Sequence, residues 1–159
     1  MQTTKTWPVV AIAATLGACA STPNEPAATV AVACHATSET EIAALFDRWN
    51  SSLATGDPHE VSKNYADRSL LLPTLSNTPR RTHDEEEDYF HHFLENGPVG
   101  SIDMRWIDIG CNDAVDAGLY TFTFAKTGAV VHARYTFTYH WNGVQWLITS
   151  HHSSAMPEK

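Results

Sequence analysis

Between Val130 and Ser154 the chain reads VVHARYTFTYHWNGVQWLITSHHSS, two strand-length runs on either side of Asn142-Gly143. Alternate residues of a strand point to opposite faces. Val131, Ala133, Tyr135, Phe137, Tyr139 and Trp141 therefore form one apolar, aromatic row, and His132, Arg134, Thr136, Thr138 and His140 form a polar row behind it. Asn-Gly supplies the positive φ angles of a tight turn whose twist suits its flanking strands, which predicts a hairpin of well-specified register. On the returning run, strict alternation separates Trp146, Ile148, Ser150 and His152 from Leu147, Thr149, His151 and Ser153. One face of this hairpin reads as a wall to be covered, the other as a site.

What can cover the wall comes earlier. Ser38-Glu39-Thr40-Glu41 fits a capping box, and it predicts a helix to about Thr55 with Ile42, Leu45, Phe46, Trp49 and Leu53 on one stripe, ended by Gly56. Asp57 as cap and Pro58 in the first turn start a short second helix through Tyr65. Ser69 to Thr74 reads as a brief apolar strand or extended segment. Thr82 with Glu85 opens a third helix that buries Tyr89, Phe90, Phe93 and Leu94 and ends at Asn96-Gly97-Pro98. From Ile102 the period changes to that of strands: Ile102 to Ile109, Val115 to Ala125, Val130 to Trp141 and Gln145 to His152, joined by short turns. Helices followed by a meander make an α+β order, a curved antiparallel sheet wrapped round the helices.

With 43% hydrophobic and 18% charged residues in 159, the chain supports one folded domain with a true core. Its formal charge of -8, and -9 once a leader containing Lys5 is removed, argues against an electrostatic grip on nucleic acid or anionic lipid. The leader itself has a pattern: Lys5, then an apolar run from Trp7 to Leu16 too short to span a bilayer, then Leu16-Gly17-Ala18-Cys19. This resembles a bacterial lipoprotein signal. The resemblance implies a signal peptide over residues 1–18, lipidation of Cys19, and a place in the bacterial cell envelope facing the non-cytoplasmic side, periplasmic in a Gram-negative cell. Ordinary cleavage near Ala18 or Ala20 without lipid is the alternative. Residues 19–35, rich in small residues with Pro23 and Pro26, read as a flexible tether to a domain over residues 36–157. With Cys19 carrying lipid, Cys34 and Cys111 remain as an even pair in an oxidising compartment, where a disulfide is expected; two separate buried thiols are the alternative.

A helix with Trp near its end, a Gly-Asp break, a helix holding a Tyr-Phe pair, and a meander closing in Gly-x-x-Trp and His-x-Ser together resemble the nuclear transport factor 2-like cone fold. Within it, Ala133-Arg134-Tyr135-Thr136-Phe137, Asp116-Ala117-Gly118-x-Tyr120-Thr121-Phe122 and His151-His152-Ser153-Ser154 are similar to the SgcJ/EcaC group, relatives of the calcium/calmodulin-dependent protein kinase II association domain. That resemblance covers about Glu39 to Pro157. It implies self-association into a homodimer or larger homo-oligomer and a pocket for small carboxylates lined by arginines. Here the pocket positions fall on Thr136, Tyr120 and Ser153, and Arg134 is the arginine left nearby, so the expected site is a polar cavity of Tyr120, Arg134, Thr136 and His151 for a small polar molecule. Cone folds also act as isomerases, dehydratases or cyclases, with His151 as candidate base and Tyr120 as candidate oxyanion donor. Catalysis and pure binding both stay open at this point.

No dinucleotide-binding glycine motif, haem signature or flavin cue occurs, so no cofactor is expected. The adjacent pairs His91-His92 and His151-His152 are expected to diverge, each offering one metal ligand at most, and no metal site is expected. Asp84 to Asp88 reads as a solvated helix start favoured by the helix dipole.

Overall fold

The computed structural model describes residues 2–3 and 33–157. Apart from those first two residues, the expected signal segment, Cys19 and the tether as far as residue 32 lie outside the described residues.

Helix α1 spans Glu39–Leu53, capped by the Ser38 side chain, which accepts from the Glu41 amide. The reciprocal half of the expected box is replaced: the Glu41 carboxylate takes the Thr37 hydroxyl at 2.8 Å instead. The predicted stripe is the buried one, Ile42, Leu45, Phe46, Trp49 and Leu53. Helix α2 is Pro58–Ser62, capped by Asp57. It stops three residues before the expected Tyr65, because the chain is drawn into the sheet there: Ile148 donates its amide to the Asn64 carbonyl at 2.8 Å. Strand β1, Tyr65–Leu72, follows. Helix α3, His83–Leu94, begins at Thr82 as expected and lays Phe90 and Leu94 into the core, with Glu86 fully buried among them.

Strands β2 (Pro98–Ile109), β3 (Asp113–Phe124), β4 (Val130–Trp141) and β5 (Trp146–Ala155) form the antiparallel meander. The sheet has a fifth member, β1, where the pattern suggests only a brief strand or extended segment over Ser69 to Thr74. Its order is β1-β5-β4-β3-β2, and β1 runs parallel to β5. The β4–β5 connection also differs from the expected Asn-Gly turn. Among the described residues only glycines have positive φ, and Gly143 is the one within this loop. Asn142 instead accepts the Val144 and Gln145 amides on its side chain, closing a four-residue loop between Trp141 and Trp146.

Two bulges set which side chains face the helices. On β2 the pairing jumps from Ile102↔Tyr120 to Met104↔Leu119, leaving Asp103 as the extra residue. Gly118 sits opposite, where a Cβ would lie 1.9 Å from the Met104 carbonyl oxygen, so the close approach excludes any other residue. On β5 the pairing jumps from Thr138↔Ser150 to Tyr139↔Ile148, leaving Thr149 as the extra residue. Trp146 and Ile148 are buried before this bulge, and His151 and Ser153 after it. Strict alternation had put His151 on the face opposite Trp146; the bulge brings both to the inner face.

Cys34 and Cys111 are joined in a disulfide across 77 residues of sequence. The last residues of the expected tether, Ala33 to His35, lie against the domain. The His35 amide donates to Asn112 Oδ1 at 2.8 Å, and its ring stacks on Trp141 at 3.6 Å between centroids.

Candidate active site

The inner face of the sheet carries two buried polar groups in an otherwise aromatic core. Tyr120 on β3 and Ser153 on β5 face each other across β4, and the Tyr120 hydroxyl donates to Ser153 Oγ. Ser153 Oγ in turn shares a hydrogen bond with Thr74 Oγ1 from the loop after β1. Two residues earlier on the same strand face is His151, whose Nδ1 shares a 2.9 Å hydrogen bond with Tyr65 Oη. The imidazole is stacked on Phe137 at 4.0 Å and met edge-on by Trp49 at 5.3 Å. Its Nε2 is buried with no partner.

These groups border a cavity of about 30 Å³, walled by Trp49, Tyr89, Phe90, Phe93, Phe122 and Phe124 and approached past Leu75 and Val131. That is room for one or two molecules of water size and not for a drug-sized ligand. Burial dominates the electrostatics. It pushes the His151 pKa down to about 3, with the neighbouring His152 adding a smaller push the same way, so the imidazole is neutral at physiological pH. Burial raises Tyr120 well above the ordinary phenol value, so it remains a hydrogen-bond donor.

The second group is Asp116, fully buried on β3. It accepts from Tyr135 Oη at 2.7 Å and from Arg105 Nε at 3.2 Å. The Arg105 guanidinium rests 5.8 Å from the Phe46 ring centre. Burial raises the Asp116 pKa, against the opposing pull of Tyr135 and Arg105.

The four expected pocket residues do not share one cavity. Tyr120 and His151 line the inner space. Arg134 and Thr136 lie on the outer face, in a shallow hollow with His152 and Ser154. The reason is the pleat: Ala133, Tyr135 and Phe137 are the buried members of β4, so their alternating neighbours face outward. Sequence reading counted Arg134 as the pocket arginine, whereas the arginine turned inward is Arg105, reoriented by the Asp103 bulge. Gly118 in the Asp-Ala-Gly motif was the signal for it. Thr74 and Tyr65 escape sequence reading because long-range packing alone brings them to the site. On α3, His91 and His92 do not diverge as expected: with Glu95 they bring three potential ligand atoms within 4.8 Å of one another, all on exposed residues.

A family model for the calcium/calmodulin dependent protein kinase II association domain matches residues 38–157. The chain belongs to this association-domain family. A Xanthomonas campestris protein assigned to the same family has a crystal structure with 47% sequence identity to the chain and a TM-score of 0.74, covering 80% of this chain and 96% of that one. A nuclear transport factor 2-like protein from Pseudomonas putida is similar in fold at 18% identity and a TM-score of 0.66, covering 76% and 87%. So is the iota-carbonic anhydrase of a cyanobacterium complexed with bicarbonate, at 20% identity and a TM-score of 0.68, covering 78% and 95%. No curated protein matches the chain. The expected α+β, nuclear transport factor 2-like architecture is thus the observed one.

Proposed function

We propose that the inner site binds bicarbonate and interconverts it with carbon dioxide. The observation that carries this reading is the line of hydroxyls from Tyr120 through Ser153 to Thr74, set beside a neutral imidazole whose Nε2 is free, round a space of only about 30 Å³. Hydroxyl donors suit the oxygens of a small planar oxyanion, and the aromatic wall suits apolar carbon dioxide. The bicarbonate-bound cyanobacterial carbonic anhydrase of similar fold supports the same reading.

In the hydration direction, a water oxygen attacks the carbon of carbon dioxide and forms the new C–O bond. One C=O electron pair moves onto oxygen, where the Tyr120 and Ser153 hydroxyls stabilise the growing charge. With Nδ1 donating to Tyr65, His151 Nε2 holds a lone pair and takes the proton released by the attacking water. Alone, a base near pKa 3 is weak; an oxyanion formed beside it supplies the countercharge that burial removes and raises its proton affinity as the reaction proceeds. The test is oxygen-18 exchange between carbon dioxide and water catalysed by the full chain. Exchange above the uncatalysed rate, abolished in His151→Ala, is the expected result. No exchange leaves a binding site without this chemistry.

The second reading is association. Trp106 is 57% exposed on the outer face, in register with Ala117, Thr136 and His152. A sheet face of this kind suits self-association, and family membership favours it. Scattering that reports only monomers at micromolar concentration would end it. Export and a lipid anchor at Cys19 belong to the same proposal, supported by the leader pattern and by the disulfide. The disulfide brings the chain into the domain beside the β2–β3 turn. Tyr120 lies seven residues along β3 from Asp113, roughly 23 Å away at about 3.3 Å per residue.

A further inference from the structure

The chemistry of the inner cavity makes no use of the last turn of α3, where His91 and His92 are followed by Glu95 at the cap. Adjacent positions of a helix lie about 100° apart round its axis, which is why two neighbouring histidines are expected to diverge. Glu95 bridges that divergence. Four positions after His91 and three after His92, it falls about 40° from the first and about 60° from the second, between the two. The cap keeps helical backbone angles, φ -53° and ψ -31°, so this spacing holds to the end of the helix. The Glu95 carboxylate meets His92 Nδ1 at 3.4 Å, and the two imidazoles meet edge to face with their centres 5.3 Å apart. One potential ligand atom from each of the three residues lies within 4.8 Å of the other two.

Those distances suit a transition metal. Donors about 2.1 Å from a tetrahedral zinc ion stand about 3.4 Å from one another. His92 and Glu95 already have that separation. Closing the widest gap, no more than 4.8 Å, takes about 1.4 Å of side-chain swing, and the exposure of all three residues leaves room for it. The two acidic side chains one turn before the histidines are engaged elsewhere. Glu87 accepts from Ser62 Oγ at 3.0 Å and pairs with His59 Nδ1 at 2.8 Å, and Asp88 accepts from Arg80 Nη1 at 2.7 Å. An exposed His–Glu contact contributes little by itself, so giving it up to a cation costs little. The group also stands at the negative end of the helix dipole, which favours a cation, on a chain of formal charge -8.

We propose that His91, His92 and Glu95 form a surface site for a divalent first-row transition cation, zinc or copper, with water completing its coordination. Imidazole nitrogen suits these ions, whereas calcium and magnesium take oxygen ligands. None of the three residues borders the inner cavity, so the site stands apart from the carbon dioxide reading.

The experiment is calorimetric titration of the full chain with zinc chloride and with copper sulfate. Wild type is compared with His91→Ala, His92→Ala and Glu95→Gln, and with His152→Ala as a control that removes an exposed histidine from a strand. The expected result is a binding event weakened at least about tenfold in each of the first three variants, since even a partner behind a metal ligand is worth about that much in affinity. His152→Ala stays within about twofold of wild type. Copper binds more tightly than zinc, and magnesium in their place gives no binding heat. Electron paramagnetic resonance of the copper-loaded protein then counts the donors: two imidazole nitrogens in wild type and one fewer in each of His91→Ala and His92→Ala. Affinity unchanged in both of these variants, an equal loss in His152→Ala, or a nitrogen count that neither variant alters overturns the site. So does the absence of binding at millimolar metal.

Discussion

The two strands of the terminal hairpin have similar sequence patterns and different geometry. β4 alternates without interruption, so its aromatic residues face the helices and Arg134 and Thr136 face outward. β5 takes one extra residue at Thr149, and two adjacent histidines after it are dealt to opposite faces, with His151 buried and His152 exposed. The comparison teaches that identity and spacing name the chemistry available, whereas a single unpaired backbone residue decides which copy of it is enclosed. The enclosed histidine is neutral and fixed to Tyr65. Its neighbour shares an open hollow with Arg134, Thr136 and Ser154.

The sharpest way to break that contrast is to remove the histidines one at a time. His151→Ala should lower turnover by at least about a hundredfold, as expected for loss of a positioned general base, while His152→Ala stays within about twofold of wild type. The hydroxyls come next. Tyr120→Phe removes one donor to the growing oxyanion and should cost about a hundredfold in kcat, against no loss for Thr136→Val on the outer face; oxygen-18 exchange reads both.

Stability offers smaller effects. Removing the disulfide with Cys34→Ser should cost roughly 2–4 kcal/mol in denaturant unfolding, and it should also loosen the His35 stack on Trp141, visible as a change in tryptophan fluorescence. The least effect is that of pH. Glu86 has its pKa raised by burial, so the stability it contributes is complete below about 4.5 and is lost as the pH rises through about 7. His151 has its pKa lowered, so its contribution is present above 6.5 and is lost as the pH falls towards about 3. In thermal unfolding across this range, Glu86→Gln should abolish the decline on the neutral side and leave the acid side unchanged.

The fold was legible where local chemistry dictates it. The Ser38 and Thr82 caps, the stripe of Ile42 to Leu53, and the run from Val130 to Trp141 follow from spacing alone. Strand β1 was read short and Tyr65 was placed in a helix, because its extended form is imposed by pairing with β5 and has no local signature. Half of the candidate site was legible for the same reason. Tyr120 and His151 stand out as aromatic and titratable groups on strands, but their partners Thr74 and Tyr65 arrive from distant elements. Arg134 is expected in the pocket because it lies two residues before Thr136, a position matched to the pocket by resemblance, on the same face of the strand. Arg105 faces inward only because Asp103 is bulged, a feature whose sequence trace is the glycine at position 118.

The central claim is that the anion site lies on the inner face rather than the outer one. A crystal structure of the full chain soaked in bicarbonate tests it most directly, since the two faces offer rival sites. The account predicts bicarbonate in the inner cavity, with oxygens on the Tyr120 and Ser153 hydroxyls and beside His151. Bicarbonate seated instead in the hollow of Arg134 and His152, with the inner cavity empty, would contradict it.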